Sequence, residues 1–115
     1  MPVLIKRAYE APKASDGYRV LVDRLWPRGL SKDTLKLDAW MRDISPSTEL
    51  RKRFHHDLTQ WIEFKRRYFR ELESQPDLVK ELKLKAKAGT VTLIYAGKDT
   101  SHNNAVALRE HLERR

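Results

Sequence analysis

Thr90-Val91-Thr92-Leu93-Ile94-Tyr95-Ala96 is β-branched and aromatic, almost continuously apolar, and stopped by Gly97. A strand with one wet face would alternate apolar and polar residues; a run like this one reads as a strand covered on both sides. Tyr18-Arg19-Val20-Leu21-Val22-Asp23-Arg24-Leu25-Trp26 repeats the signature around a contiguous Val20-Leu21-Val22 centre, and Pro27-Arg28-Gly29 ends it. Two doubly covered strands, far apart in the chain with helical sequence between them, predict a three-layer α/β fold. The expected architecture is a small, largely parallel sheet flanked by helices, with residues 1–115 forming a single domain.

Outward from these strands, Val3-Leu4-Ile5-Lys6-Arg7 is a third short β-branched run, followed by an Ala11–Gly17 stretch whose Pro12 and Gly17 mark a loop. Leu35 to Ile44 alternates weakly around Leu37, Ala39 and Met41 and reads as a strand or an irregular connection. Ser45-Pro46-Ser47 and Glu49 supply the hydroxyls, proline and acid of a helix start, predicting a short helix from Ser47 to His55. Trp61, Phe64, Tyr68 and Leu72 fall on one helical face and Glu63, Arg66, Arg67 and Arg70 on the opposite one. Ser74-Gln75-Pro76-Asp77 closes that helix and opens another, with an apolar stripe of Leu78, Val79, Leu82 and Ala86 before Gly89. Thr100 or Ser101 is expected to cap a last helix that turns Ala105, Leu108 and Leu112 to the core.

The composition narrows the function classes. Apolar residues make up 40% of the 115-residue chain, enough for a real core, and the 35% that are charged must coat it. The longest apolar runs, such as Leu93-Ile94-Tyr95-Ala96, are too short for a membrane span or a secretory signal, so no membrane partner is expected and the cytoplasm is the default location. With no cysteine, disulfides, thiolate metal ligands and cysteine nucleophiles are all excluded. The formal net charge of +8 favours anionic partners.

In a parallel sheet, ligands gather beyond the carboxyl ends of the strands. That directs attention to Asp23–Gly29 and Gly97–Asn104. The first places Asp23, Arg24, Trp26 and Arg28 on a turn fixed by Pro27. Arginine suits forked recognition of carboxylate or phosphate, and tryptophan can cover a planar or cationic ligand. The bland account is a turn with Trp26 plugging the core edge and Asp23 paired to an arginine. The second holds Lys98, Asp99, His102, Asn103 and Asn104, with backbone amides near Ser101–Asn104 expected to be open to an anion and Lys98 adding charge. Asp99 and His102 form a candidate acid/base pair. Here too a plainer account exists, since Asp99, Thr100, Ser101 and the asparagines are all good capping residues.

Together these residues point to a small-molecule or nucleotide-like anion site, acting as a hydrolase or transferase at a phosphate or carboxylate if it is catalytic. The arginines and Lys98 would clamp the anion, Trp26 would stack on it, and Asn103 and Asn104 would orient it. The alternative is a non-catalytic nucleic-acid-binding or protein-interaction module. For that reading Arg51–Arg70 supplies a local excess of positive charge, with Arg66, Arg67 and Arg70 on one helical face. No helix-turn-helix or RNA-binding signature accompanies it, and such faces are usually just solvated. His55-His56-Asp57 lacks the spacing of a metal site, and neither a phosphate loop nor a serine elbow is present, so no metal or cofactor is expected.

The combination of Arg19-Val20-Leu21-Val22-Asp23-Arg24-Leu25-Trp26-Pro27-Arg28-Gly29, Asp38-Ala39-Trp40, Asp43-Ile44-Ser45-Pro46-Ser47 and Phe54-His55-His56-Asp57 extends through Trp61, Phe64 and Tyr68. It ends in Tyr95-Ala96-Gly97-Lys98-Asp99 and His102-Asn103-Asn104-Ala105. This series resembles the domain of unknown function 488 family, in its short YeaO-like bacterial branch, over nearly the whole chain. The resemblance implies one compact α/β domain, usually bacterial and cytoplasmic, with the two strand-end motifs as its signature and no assigned activity. Gly97 and Leu58 stand where family members often carry alanine and proline, which is expected to loosen the turn before Lys98 and shift the start of the Trp61 helix. Longer relatives carry cysteines that suggest redox or metal roles; those roles do not transfer to this chain.

Overall fold

The computed structural model describes residues 3–53 and 60–114. Its strands are β1 (Val3–Arg7), β2 (Tyr18–Leu21), β3 (Ala39–Trp40) and β4 (Val91–Tyr95), and its helices are α1 (Lys32–Leu35), α2 (Thr48–Arg53), α3 (Trp61–Glu73), α4 (Pro76–Ala88) and α5 (Asn104–Glu113). The strands form one sheet in the order β1-β4-β2-β3, every pair parallel, so all four carboxyl ends share one edge. β4 is buried along its whole length, as its unbroken apolar run requires.

Alternation sends side chains to two separate cores. On one face Val20, Val22, Val91, Leu93 and Tyr95 meet Phe64, Tyr68 and Leu72 of α3, Val79 and Leu82 of α4, and Leu108 and Leu112 of α5. On the other, Leu21 and Ile94 meet Ala8 and Leu35, ringed by Trp26, Leu30, Leu37 and Trp40. The second cover is thin, made of the one-turn α1 and the loops flanking it. α1 was not expected from sequence. It is four residues long, shows no full helical period, and owes its start to Ser31, whose hydroxyl accepts from the Thr34 N–H at 3.1 Å.

The second face also holds buried charge. Asp16 accepts from Lys6 Nζ at 3.1 Å and Arg19 Nη1 at 2.6 Å. Arg19, only 4% exposed, also donates to the Leu35 carbonyl at 2.8 Å and the Lys36 carbonyl at 3.1 Å, closing the end of α1. Burial alone would raise the Asp16 pKa, but the Lys13 N–H and the Lys6 and Arg19 side chains outweigh it and hold the carboxyl below its ordinary value. Gly17 follows with φ +65°, where a Cβ would stand 2.3 Å from the Thr90 carbonyl oxygen, the acceptor for the Tyr18 N–H that opens β2.

β1 lies at the sheet margin. Its even-numbered residues bond towards β4, ending with the Ala8 N–H on the Tyr95 carbonyl at 2.7 Å. Arg7 faces outward, and there its N–H donates to the Glu10 carboxylate at 2.7 Å while its carbonyl accepts the Glu10 N–H at 3.1 Å.

Candidate functional site

β2 ends sooner than its apolar sequence suggests, at Leu21, and the reason builds the site. In the parallel register the Ala96 N–H would be the next donor to the Val22 carbonyl. Instead it donates to Asp23 Oδ2 at 2.9 Å, and Asn104 Nδ2 takes the Val22 carbonyl at 2.9 Å while also reaching Asp23 Oδ1 at 3.0 Å. Two side chains thus replace a ladder bond and part the strands at their carboxyl ends. Burial raises the Asp23 pKa, with the bonds from Ala96 and Asn104 and the charge of Arg51 opposing it.

The tryptophans brace the other face. Trp40 Nε1 donates to the Asp23 carbonyl at 2.8 Å, Trp26 Nε1 donates to the Leu30 carbonyl at 2.6 Å, and the two rings meet edge to face at 5.4 Å. The Arg42 guanidinium lies 3.9 Å from the Trp40 ring centroid. Trp26 therefore sits as a core plug within the second cluster. Arg28 is exposed, its carbonyl accepting the Tyr9 hydroxyl at 3.0 Å. Arg24 is half-buried at the end of β2, and its Nε is enclosed without a hydrogen-bond partner.

The second loop folds on itself. Asp99 Oδ1 accepts the Ser101 and His102 N–H groups at 2.9 Å each. Asn103 Nδ2 donates to the Asp99 carbonyl at 2.9 Å, and Asn103 Oδ1 accepts the Val106 N–H at 2.9 Å. The cap of α5 is therefore Asn103, where Thr100 or Ser101 was expected, because its extended backbone aims the short side chain at the first turn. The amides expected to be open to an anion at Ser101 and His102 are occupied by the Asp99 carboxylate. His102 Nδ1 lies 3.7 Å from Asp99 Oδ1, beyond hydrogen-bond reach, and its ring stands edge-on to Trp61 at 5.2 Å. Lys98 is exposed, and an alanine at Gly97 would meet nothing closer than the Tyr95 ring at 4.0 Å, so the glycine is not required by packing.

The structure thus joins Asp23 to Asn104, and Asp99 to His102 and Asn103. It does not bring Arg28 to His102: the Trp26–Arg28 turn belongs to the thinly covered face, whereas His102 packs against α3 on the helical face. Sequence reasoning missed Arg7, which ends β1 at the same edge and donates to the Ala96 and Gly97 carbonyls at 3.2 and 2.8 Å. It also missed Arg42, and it read Arg51 only as part of the Arg51–Arg70 basic stretch; a basic residue closing a strand was the available signal for Arg7. On α3, Arg66 and Arg67 both pair with Glu63, at 2.6 and 2.9 Å. Among the described residues no three His, Asp or Glu side chains are grouped to hold a metal ion, and no helix is long and apolar enough to cross a membrane. His55-His56-Asp57 and Leu58 lie outside the described residues.

These features define a small parallel α/β protein whose polar side chains collect where the strands end. The chain belongs to the domain of unknown function 488 family: the family model described as the inactive DUF488-N3 subclade matches residues 2–115. It is 45% identical over 112 residues to the uncharacterized protein YeaO of Escherichia coli (strain K12), covering 97% of each chain. An uncharacterized protein of Mycobacterium tuberculosis (strain ATCC 25618 / H37Rv) is 37% identical over 113 residues, 98% of this chain and 95% of the relative. No solved structure matches.

Proposed function

We infer that this chain binds a small anionic ligand at the carboxyl edge of its sheet and does not transform it. The observation that carries the binding half is Arg24: a buried guanidinium nitrogen without an acceptor, at the end of a central strand, is satisfied when an anion arrives. Arg28 and Lys98, both exposed in the chain's two strand-end loops, add positive charge to those loops. The non-catalytic half is supported by the engagement of Asp99 with backbone amides and by its distance from His102, which leave the acid/base pair unassembled. The word "inactive" in the description of the family model accords with this reading. A hydrolase or transferase using this pair would need His102 and Asp99 to close from 3.7 Å to hydrogen-bond distance. The nucleic-acid reading of Arg66, Arg67 and Arg70 is weakened by the Glu63 pairing, which neutralises part of that surface.

NMR titration with inorganic phosphate at constant ionic strength tests the reading. Saturable shifts are expected at residues 23–28 and 96–104, with about tenfold weaker binding in Arg24→Gln, the cost of about one charge-assisted bond. Unchanged affinity in that variant, or turnover of p-nitrophenyl phosphate by the wild type, would defeat it.

A further inference from the structure

His111, in the last turn of α5, turns its ring to α3. The ring centroid lies 5.1 Å from that of Phe69, with the planes tilted by 44°, and the Arg114 guanidinium lies 5.1 Å from the same Phe69 centroid. The His111 carbonyl accepts the Arg114 N–H at 3.3 Å and so closes the helix. One phenylalanine therefore receives both the last turn of α5 and its cap, and Leu112 of that turn is buried in the core. At the other end of α5, Asn104 donates to the Val22 carbonyl at 2.9 Å and to Asp23 Oδ1 at 3.0 Å, an anchorage that needs no histidine.

His111 Nδ1 is enclosed and has no hydrogen-bond partner. A neutral imidazole tolerates this: with its proton on Nε2, the dry nitrogen is only an acceptor left unused. An imidazolium does not, because both nitrogens then carry N–H and one of them points where no acceptor stands. Burial therefore opposes the charged form, and Arg114 of α5 and Lys83 of α4 oppose it further. Glu73 of α3 and the carbonyl end of α5 favour a cation, yet the ring stays below the ordinary histidine value.

We propose that His111 is a proton-operated latch: neutral, it docks the last turn of α5 on Phe69; protonated, it turns into water and releases that turn while the Asn104 end stays fixed. The latch lies at the opposite end of α5 from the sheet edge and does not depend on Arg24. A released ring takes up its proton near 6.5, so release is favoured as pH falls through that value and levels off below the midpoint of the docked ring. The opening equilibrium rises about tenfold for each pH unit between the two midpoints.

The experiment is a pH titration of the full chain from about 8 to 5, read by nitrogen–proton correlation spectra of the imidazoles and by amide exchange corrected for its intrinsic pH dependence. Expected are the Nε2–H tautomer of His111 at neutral pH, a midpoint below 6.5, and exchange at residues 109–114 that speeds up in acid while residues 104–107 do not follow. His111→Leu keeps an apolar contact for Phe69 and should abolish the acid response. Lys83→Gln leaves the Phe69 stack in place and should raise the midpoint; an unchanged midpoint there overturns the proposal even if His111→Leu fails to fold. A midpoint at or above 6.5, the Nδ1–H tautomer, or flat exchange at residues 109–114 also overturns it. So does an acid response that survives in His111→Leu, or one that spreads through every element at once and marks global unfolding.

Discussion

Asp16→Asn isolates the charge at the centre of the Lys6–Asp16–Arg19 cluster. The substitution keeps the shape of the side chain and one acceptor oxygen but leaves Arg19, at 5% side-chain exposure, without its counter-charge. Breaking a buried ion pair by removing one partner costs about 3–5 kcal/mol. Arg19 retains the Leu35 and Lys36 carbonyls, and Lys6 is 13% exposed and regains some water, so the lower end, about 3 kcal/mol, is expected. With a urea m-value of about 1.5 kcal/mol/M, the unfolding midpoint should fall by about 2 M at pH 7. The sign of the pH dependence follows from the lowered pKa of Asp16. A carboxyl whose folded value is depressed contributes stability that is complete above its unfolded value, here about 3.8, and that is lost as pH falls through the folded one. The gap between wild type and variant should therefore hold from neutral pH down to about 5 and close in more acidic solution, where the wild-type carboxyl is itself neutral. A midpoint change below about 0.5 M at pH 7, or a gap that persists undiminished at about pH 2, would refute this account of the cluster.

Two glycines with positive φ should behave differently. Gly17→Ala forces a Cβ to 2.3 Å from the Thr90 oxygen and should cost about 3 kcal/mol in chemical denaturation, whereas Gly29→Ala, at φ +82° with nothing within 4 Å, should cost about 1 kcal/mol for backbone conformation alone. Similar losses at both positions would contradict the close-approach explanation. Asn103→Ala removes the cap of α5 and the bond to the Asp99 carbonyl together; about 1–2 kcal/mol should be lost, with faster amide exchange at Val106, and unaltered exchange there would exclude the cap.

The parallel sheet was legible because its central strands carry uninterrupted apolar runs, and α3 because Phe64, Tyr68 and Leu72 recur at helical spacing and are buried as that spacing requires. α4 and α5 were legible on the same grounds. The two-residue β3 was legible only as one of two alternatives, a strand or an irregular connection around Ala39, since its place depends on the Leu21 carbonyl accepting the Met41 N–H. At the strand ends, the right loops were identified but not their internal wiring. Asp23 meets Asn104 across 81 residues of sequence, a pairing that local chemistry cannot announce. Asp99 illustrates the reverse difficulty: its contacts with Ser101 and His102 are local, yet an aspartate ahead of a histidine reads equally as a turn residue and as a catalytic partner.

Glu10 matters most for what it prevents. A marginal strand offers its unpaired amides and carbonyls to any extended chain that drifts past, and a β-branched pentapeptide such as Val3–Arg7 is an attractive template for such accretion. By folding back to occupy both outward groups of Arg7, Glu10 shortens the template from its exit end and leaves a carboxylate where an incoming strand would dock. The remaining frontage, at Val3 and Ile5, is too short to hold a stranger in register. A single acidic residue in a loop thus closes the exit end of the marginal strand to further pairing.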